Sequence, residues 1–259
     1  MKKIFTLLVM VALATCWVSC SDDDNNDDNA NWQEIKATLE ITDATLASAF
    51  DFMEDEKDAY TTCKIIIDWG DGTIDETTKH YYSQKGTYHV TIKVKKIKKL
   101  VMEYSQVTSL NLSEVTELTT LWCSNCKLTS LDLTKNTELT ELNCSFNQLT
   151  SLDLNRNIKL TNLNCQYNQL ASLDLSKNTE LHMFIVSNNQ LSSLNLTKNT
   201  KLTRLTCTEN PFTQESVNNL LNSLPMGKYD NGVSISILEI DDKWDTSIAE
   251  EKGWKINEW

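Results

Sequence analysis

The stretch that decides the fold is a 21-residue unit, which reads LTTLWCSNCKLTSLDLTKNTE over Leu118–Glu138 and LTELNCSFNQLTSLDLNRNIK over Leu139–Lys159. Two further copies follow, LTNLNCQYNQLASLDLSKNTE over Leu160–Glu180 and LHMFIVSNNQLSSLNLTKNTK over Leu181–Lys201, and a fifth copy begins at Leu202. Such periodicity is typical of a solenoid, in which each unit stacks on the next and all units share one continuous core.

Each unit contains the pattern LxxLxL (or C) xxN twice. The LxL spacing places alternate side chains on one side of a short extended segment, so we expect each half-unit to be a strand followed by a turn. Gly and Pro are absent from residues 87–210. We therefore expect Asn, whose amide both donates and accepts hydrogen bonds, to bond the backbone groups at the bends instead. Asn recurs in two columns, one of Asn147, Asn168, Asn189 and Asn210 and one of Asn136, Asn157, Asn178 and Asn199.

These units resemble the bacterial leucine-rich repeats whose 21-residue unit reads LxxLxLxxNxLxxLDLxxNxx, and the resemblance covers about residues 97–212. One inward position of the unit carries Cys in four copies and Val in one, which indicates small apolar core residues and reduced thiols. The pair Cys123-Ser-Asn-Cys126 has the spacing of half a zinc site, but no second pair complements it, so no metal is expected. The inward cysteines are Cys123, Cys144, Cys165 and Cys207, and Val186 takes their place in the fourth unit.

The N-terminus is typical of a secretory signal peptide. Two lysines precede the apolar run Ile4–Ala14, which is too short to cross a membrane as a finished helix. Val18-Ser19-Cys20 resembles a bacterial lipobox, and the acidic residues directly after it resemble the signal that sends some Gram-negative lipoproteins to the outer face of the outer membrane. We therefore expect residues 1–19 to be a lipoprotein signal peptide, Cys20 to be lipidated, and residues 20–31 to form an acidic tether. A soluble secreted protein is the alternative.

A small β domain is predicted between the tether and the repeats. Its motifs are IDWGDGT at 67–73, HYY at 80–82 and GTYHVTIKV at 86–94, and the last of these alternates strictly in polarity. Together they resemble the PKD-type immunoglobulin-like sandwich, which implies that Trp69 and Tyr88 pack a core within residues 32–96.

Three features of this domain allow two interpretations. Asp68, Asp71 and Asp75 either hold calcium through their oxygens or cap turns, and we expect turn capping. His80 is expected to be a structural hydrogen-bonding residue rather than a ligand. The lysines within residues 93–99 are expected to guard a sheet edge against pairing, with binding of an anionic glycan as the alternative.

Residues 213–259 are expected to cap the solenoid, because its last core face must be covered. Thr213 is a suitable N-cap, and a short second helix is expected to end at Gly253. The predicted elements are a helix with Val217, Leu220, Leu221 and Leu224 on one side, a strand over Val233–Ile240, a helix over Ile248–Lys252 and a closing strand at Trp254-Lys255-Ile256.

Composition and motifs argue against several functions. The chain of 259 residues carries 36 acidic and 24 basic residues, a net charge of −12, whereas nucleic acids and anionic lipids require a basic footprint. No GxSxG, HExxH, GxxxxGK[ST] or GxGxxG motif is present, and the carboxylates of the repeats recur periodically instead of forming one unique constellation. We therefore expect a protein that is not an enzyme and needs no cofactor.

A partner-binding face is predicted where outward positions depart from the repeat consensus. Apolar and aromatic side chains lie there on neighbouring turns, edged by carboxamides, and such anchors with a polar rim suit recognition. The competing interpretation is that some aromatics fold inward at the bends and pack the core. The predicted partner-binding residues are Trp122, Asn143, Phe146, Asn164, Gln166, Tyr167, Met183 and Ile185.

The fold expected from these observations is mainly β with minor α: a PKD-like β-sandwich joined directly to a leucine-rich-repeat solenoid with an α/β C-terminal cap. The leading hypothesis for function is a surface-anchored, non-enzymatic binding or adhesion lipoprotein of the outer membrane. Because leucine-rich repeats commonly bind proteins, the hypothesis assigns it a protein partner. The alternative is a glycan-binding accessory lipoprotein of a carbohydrate-uptake system.

Overall fold

The computed structural model describes residues 15–20, 32–42, 48–49, 65–77, 79–94, 97–103, 105–230, 233–234, 237–240 and 244–257. Residues 1–14 of the predicted signal peptide and residues 21–31 of the predicted tether lie outside this part, as does the side chain of Cys20. Within the described residues, no helix is long and apolar enough to cross a membrane.

Short strands dominate the described part of the chain, and the two helices found there lie near the C-terminus. The strands are β1 (Thr15–Cys20), β2 (Gln33–Ile41), β3 (Ser48–Ala49), β4 (Ile65–Asp68), β5 (Ile74–Asp75), β6 (Lys79–His80), β7 (Gly86–Val94), β8 (Ile97–Glu103), β9 (Val107–Asn111), β10 (Thr120–Trp122), β11 (Glu141–Asn143), β12 (Asn162–Asn164), β13 (Met183–Ile185), β14 (Arg204–Thr206), β15 (Tyr229–Asp230), β16 (Val233–Ser234), β17 (Ile237–Glu239) and β18 (Lys255–Asn257). The helices are α1 (Gln214–Ser223) and α2 (Ser247–Glu251).

A nine-stranded sheet runs the length of the solenoid in the order β1-β8-β10-β11-β12-β13-β14-β17-β18. Strands β10 to β14 are parallel, and each comes from one repeat unit, so that Thr120 pairs with Glu141 and Glu141 with Asn162. Strand β1 closes one end of this sheet by pairing antiparallel with β8. The fold is therefore the predicted mainly β solenoid, with an antiparallel sheet in its N-terminal part.

Only the first half of each unit forms a strand, so the prediction of a strand in both halves is wrong for the second LxL. Side chains replace the interstrand ladder there, because the Asp132 carboxylate accepts a hydrogen bond from the Thr134 amide (2.9 Å). Asp174 does the same for Ser176 (2.8 Å). Such local bonds compete with pairing between strands and bend the chain.

The inward cysteines lie where the sequence places them. Cys123, Cys144, Cys165, Cys207 and Val186 are all fully buried, and the four thiols are free. Burial raises the pKa of Cys144 to about 12, because desolvation opposes the charged thiolate. These thiols are core residues.

The asparagine amides do satisfy the bends. Asn147 Oδ1 accepts a hydrogen bond from the Leu128 amide (3.0 Å), and its Nδ2 donates to the Cys123 carbonyl (2.8 Å). In the other column, Asn157 Nδ2 donates to the carbonyls of Leu133 (3.1 Å) and Asn136 (2.8 Å). A bonding side chain at each bend takes over the role that Gly and Pro turns would have.

The N-terminal part contains an antiparallel five-stranded sheet in the order β5-β4-β7-β2-β9 and a two-stranded sheet of β3 and β6. After β7 the chain enters the solenoid sheet as β8, returns as β9 to pair with β2, and only then begins β10. Buried residues of both parts form one hydrophobic cluster. The domain boundary at residues 96 and 97 and the PKD-type interpretation stay predictions.

The GDG turn is held by its own acidic side chains. The carboxylates of Asp68, Asp71 and Asp75 each accept a hydrogen bond from the amide two residues onward, at 3.0 Å, which is the expected turn capping. His80 Nε2 lies 2.7 Å from Asp71 Oδ2, and its ring stacks on that of Trp69, which is fully buried. Desolvation opposes ionisation of Asp71, but hydrogen bonds from His80 and Thr73 outweigh it and hold the pKa below its usual value.

The C-terminal cap contains the predicted helices. Thr213 N-caps α1 and forms a capping box with Ser216, while Val217 and Leu220 are buried beneath the helix. The prediction of one strand over Val233–Ile240 is wrong in part, because the segment contains two short strands in different sheets: β16 pairs with β15, and β17 joins the solenoid sheet beside β14. The closing strand is β18, which pairs parallel with β17 at the end of the solenoid sheet.

Candidate functional site

The outward face of strands β10 to β13 forms a groove of about 240 Å³. Each of these strands has a buried middle residue and two half-buried flanking residues, so the flanking side chains make the walls. We call it the strand groove; it is lined by Trp122, Glu141, Leu142, Asn143, Asn162, Asn164, Met183 and Ile185. Five of the eight predicted partner-binding residues line it.

The carboxamides at the middle of the strand groove are held in fixed orientations. Asn143 Oδ1 accepts hydrogen bonds from the Ser145 hydroxyl (2.7 Å) and amide (3.2 Å). Asn164 Oδ1 accepts one from the Gln166 amide (3.2 Å). Because these bonds turn both oxygens toward the protein, the Nδ2 groups are the donors that a ligand meets.

Trp122 forms the end of the strand groove next to β8. Lys99 Nζ lies 4.7 Å from the centroid of its ring, close enough for a cation–π interaction. Strand β8 brings Lys99 there by pairing with Thr120 on β10. The lysine run predicted to guard an edge therefore supplies one residue that packs on the predicted site.

Phe146 and Tyr167 point outward, contrary to the interpretation that such aromatics pack the core. Their side chains are stacked, with ring centroids 4.3 Å apart and an interplanar angle of 13°, and the residues are 43% and 45% exposed. They lie three residues beyond Asn143 and Asn164, and they do not line the strand groove. We call them the aromatic pair.

The backbone of the aromatic pair is strained. Phe146 has φ 54° and Tyr167 φ 52°, in the left-handed region, where a bulky residue costs roughly 1–2 kcal/mol. The neighbouring units place Asn125 and Asn188 at the same position with φ 56°, and Asn tolerates this conformation well. The turn therefore does not need an aromatic residue.

Gln166 contacts the aromatic pair through its backbone. It is half-buried, and its carbonyl accepts a hydrogen bond from the Phe146 amide (3.0 Å). It links the end of β12 to the aromatic pair.

The partner-binding residues predicted from the sequence do not include Glu141, Asn162 and Lys99, which the structure places at the site. Asn162 Nδ2 donates to Glu141 Oε1 (3.3 Å), and both side chains line the strand groove. The signal that finds them is their place at the outward positions flanking each buried strand centre.

The chemistry of the strand groove suits recognition. Glu141 is the one ionisable side chain among its eight lining residues, whereas acid–base or nucleophilic catalysis needs at least two groups in mutual contact. Apolar walls with a few oriented donors are the usual make-up of a binding surface.

Comparison with known families identifies the repeats. Residues 116–157 match the model of the family described as Leucine Rich repeats (2 copies). Domains built from leucine-rich repeats are generally non-enzymatic protein-interaction domains. A search of curated proteins finds no match to the chain.

Several solved structures are similar to part of the chain. The functional domain of InlJ from Listeria monocytogenes, described as including a cysteine ladder, is 40% identical over 44% of this chain and 25% of its own, with a TM-score of 0.43. The internalin InlF from the same organism is 26% identical over 49% of this chain and 39% of its own, with a TM-score of 0.42. A leucine-rich-repeat protein from Leptospira interrogans is 18% identical over 56% and 44%, with a TM-score of 0.44. The chain spans less than half the length of each of these three.

Proposed function

We propose that this chain is a surface-anchored, non-enzymatic binding or adhesion lipoprotein that recognises a protein partner through the strand groove and the aromatic pair. The observation that carries the proposal is the exposed stack of Phe146 on Tyr167, held in a strained conformation. The N-terminal β domain acts as a spacer between the anchor and the repeats.

The cost of the aromatic pair supports a role in binding. Two residues in the left-handed region cost roughly 2–4 kcal/mol together, while an aromatic stack returns only about 0.5–1.5 kcal/mol. Asn125 and Asn188 occupy the same position in two other units, so the turn forms without an aromatic residue and without its strain. Tyr is among the residues most enriched in binding hot spots, and aromatic residues including Phe are enriched at interfaces, which is a reason to keep these rings exposed.

The proposed anchor is a lipid on Cys20, within the lipobox-like Val18-Ser19-Cys20. Cleavage before Cys20 removes Thr15–Ser19, which pair with β8 in the structure. The first solenoid strand is then an edge that carries lysines, as expected of a protected edge. Metabolic labelling with an alkynyl fatty acid tests this step, because Cys20→Ala abolishes the label and Cys16→Ala preserves it.

A glycan is the alternative partner, and one observation favours it. Asn143 ends β11 and Asn164 ends β12, each three residues before an exposed aromatic ring. Aromatic rings stack on sugars, and the Nδ2 groups of the two carboxamides can donate hydrogen bonds to sugar hydroxyl oxygens. In this case the protein is a glycan-binding accessory lipoprotein of a carbohydrate-uptake system.

A combined array of extracellular proteins and glycans, probed with the purified chain, tests the proposal. Binding to proteins is expected, with loss in Trp122→Ala and in the double variant Phe146→Asn/Tyr167→Asn. Ile158→Thr is the matched control, because Ile158 is 53% exposed outside the groove and the other units carry Thr at this position.

Each outcome of the array has a distinct meaning. Protein binding that survives both groove and aromatic variants contradicts the proposed surface. Binding to glycans, lost in the same variants, replaces the protein partner with the alternative. Loss in Ile158→Thr to the same extent indicates non-specific apolar contact and refutes the assignment of the strand groove.

A further inference from the structure

Glu141 is the one charged side chain that lines the strand groove, and it has no strong partner within the described residues. Charges on nearby strands of the same sheet have partners: Lys99 lies over the Trp122 ring, and Glu239 accepts a hydrogen bond from Thr206 (2.7 Å) with Arg204 at 4.0 Å. For Glu141, the described residues provide the Asn162 amide at 3.3 Å and no ion pair.

The surroundings of Glu141 suit a cationic side chain. The residue is half-buried in the wall of the strand groove, where a charge is less screened than in open water. Trp122 and Met183 line the same groove, and long basic side chains pack their methylene stems on such apolar surfaces while the head group stays polar.

The size of the strand groove limits what can enter it. Its volume of about 240 Å³ is below the roughly 300–1,000 Å³ of pockets that enclose drug-sized ligands. It has room for one long side chain. The net charge of −12 also steers basic partners toward the chain over distance.

We infer that the strand groove receives a Lys or Arg side chain of the protein partner, with its cationic head on the Glu141 carboxylate and its stem against Trp122 and Met183. This inference rests on the proposed function, because it names the chemistry that the partner presents. Glu141 thereby selects basic segments among the proteins that the surface meets.

The test uses the full chain and immobilised peptides spotted in pairs. One member of each pair contains Lys or Arg, and in the other member Gln replaces every Lys and Arg. The variant is Glu141→Gln, which keeps an oxygen acceptor for Asn162 and removes only the charge. The matched control is Glu250→Gln, which removes the same charge from the exposed surface of α2.

The wild-type chain and Glu250→Gln are expected to bind the basic members about tenfold more strongly than their neutral counterparts, since a charge-assisted bond is worth about one decade. Glu141→Gln is expected to lose that preference while its melting temperature is unchanged. Equal signals for the wild type and Glu141→Gln, including no signal for either, would overturn the inference. Protein-array binding that still depends on Trp122 would then leave the proposed function standing.

Discussion

Asn147→Ala is expected to destabilise the protein by about 2 kcal/mol more than Asn157→Ala, although both side chains are buried members of the asparagine columns. The two substitutions remove the same atoms from the same kind of bend, so the cavity cost is similar and cancels in the comparison. The difference comes from which backbone groups keep a partner.

Asn147→Ala leaves two backbone groups without a partner among the described residues. The Leu128 amide donates to Asn147 Oδ1 (3.0 Å), and the Cys123 carbonyl accepts from Asn147 Nδ2 (2.8 Å). A buried polar group that loses its bond costs about 1–3 kcal/mol. Two such groups bring the expected cost to about 3–4 kcal/mol.

Asn157→Ala leaves both of its backbone partners bonded. The Leu133 carbonyl also accepts from the Asn136 amide (3.0 Å), and the Asn136 carbonyl from the Leu139 amide (3.3 Å). Asn157 Oδ1 is buried without a hydrogen bond, so the substitution also removes an unsatisfied atom. The expected cost is about 1–2 kcal/mol, as for ordinary hydrogen bonds.

Urea unfolding of the two single variants, followed by far-UV circular dichroism, measures the difference. With equal m-values the two midpoints convert directly to free energies of unfolding. A loss of stability in Asn157→Ala equal to or greater than that in Asn147→Ala would refute the reasoning. It would mean that a side chain that is the only partner of a backbone group contributes no more than one whose backbone partner keeps a second hydrogen bond.

Three further predictions concern the surface, the cap and the thiols. In Phe146→Asn/Tyr167→Asn the relief of roughly 1–2 kcal/mol of backbone strain per residue offsets the lost stack and ring contacts. Calorimetry is therefore expected to show a melting temperature within a few degrees of the wild type. A fall of 10 °C or more, about 3 kcal/mol, contradicts this prediction. Thr213→Ala is expected to lower the free energy of unfolding by about 1 kcal/mol because the capping box with Ser216 is lost, whereas Thr213→Ser preserves it in the same denaturation assay. Burial raises the pKa of the Cys144 thiol from 9.0 to about 12, so its contribution to stability is complete below pH 9 and is lost as the pH rises toward 12. Cys144→Val is therefore expected to show a smaller fall in the free energy of unfolding between pH 8 and about pH 10.5 than the wild type. Parallel plots of this free energy against pH for the two proteins would exclude the linkage.

Much of the solenoid could be predicted because a repeat defines its own environment. Leu142 sits beside Leu121 and Leu163 at the same position of the neighbouring units, so an apolar residue at one unit implies a buried column. The N-cap at Thr213 is also local, since it needs only the three residues that follow. The partner-binding residues were harder to predict, because periodicity shows which positions point outward but not which of them enclose a groove.

The sequence by itself determined the repeat period, the inward leucines and cysteines, the asparagine bends and the caps, because each depends on contacts at short or repeating separations. Only the tertiary structure decided that β9 returns to pair with β2, that Lys99 lies over Trp122, and that Phe146 and Tyr167 stack in the open. These depend on how strands distant in the chain are brought together and on the backbone angles at the bends. A one-dimensional pattern does not contain that information, since the same spacing is compatible with an aromatic ring turned toward the core or toward solvent.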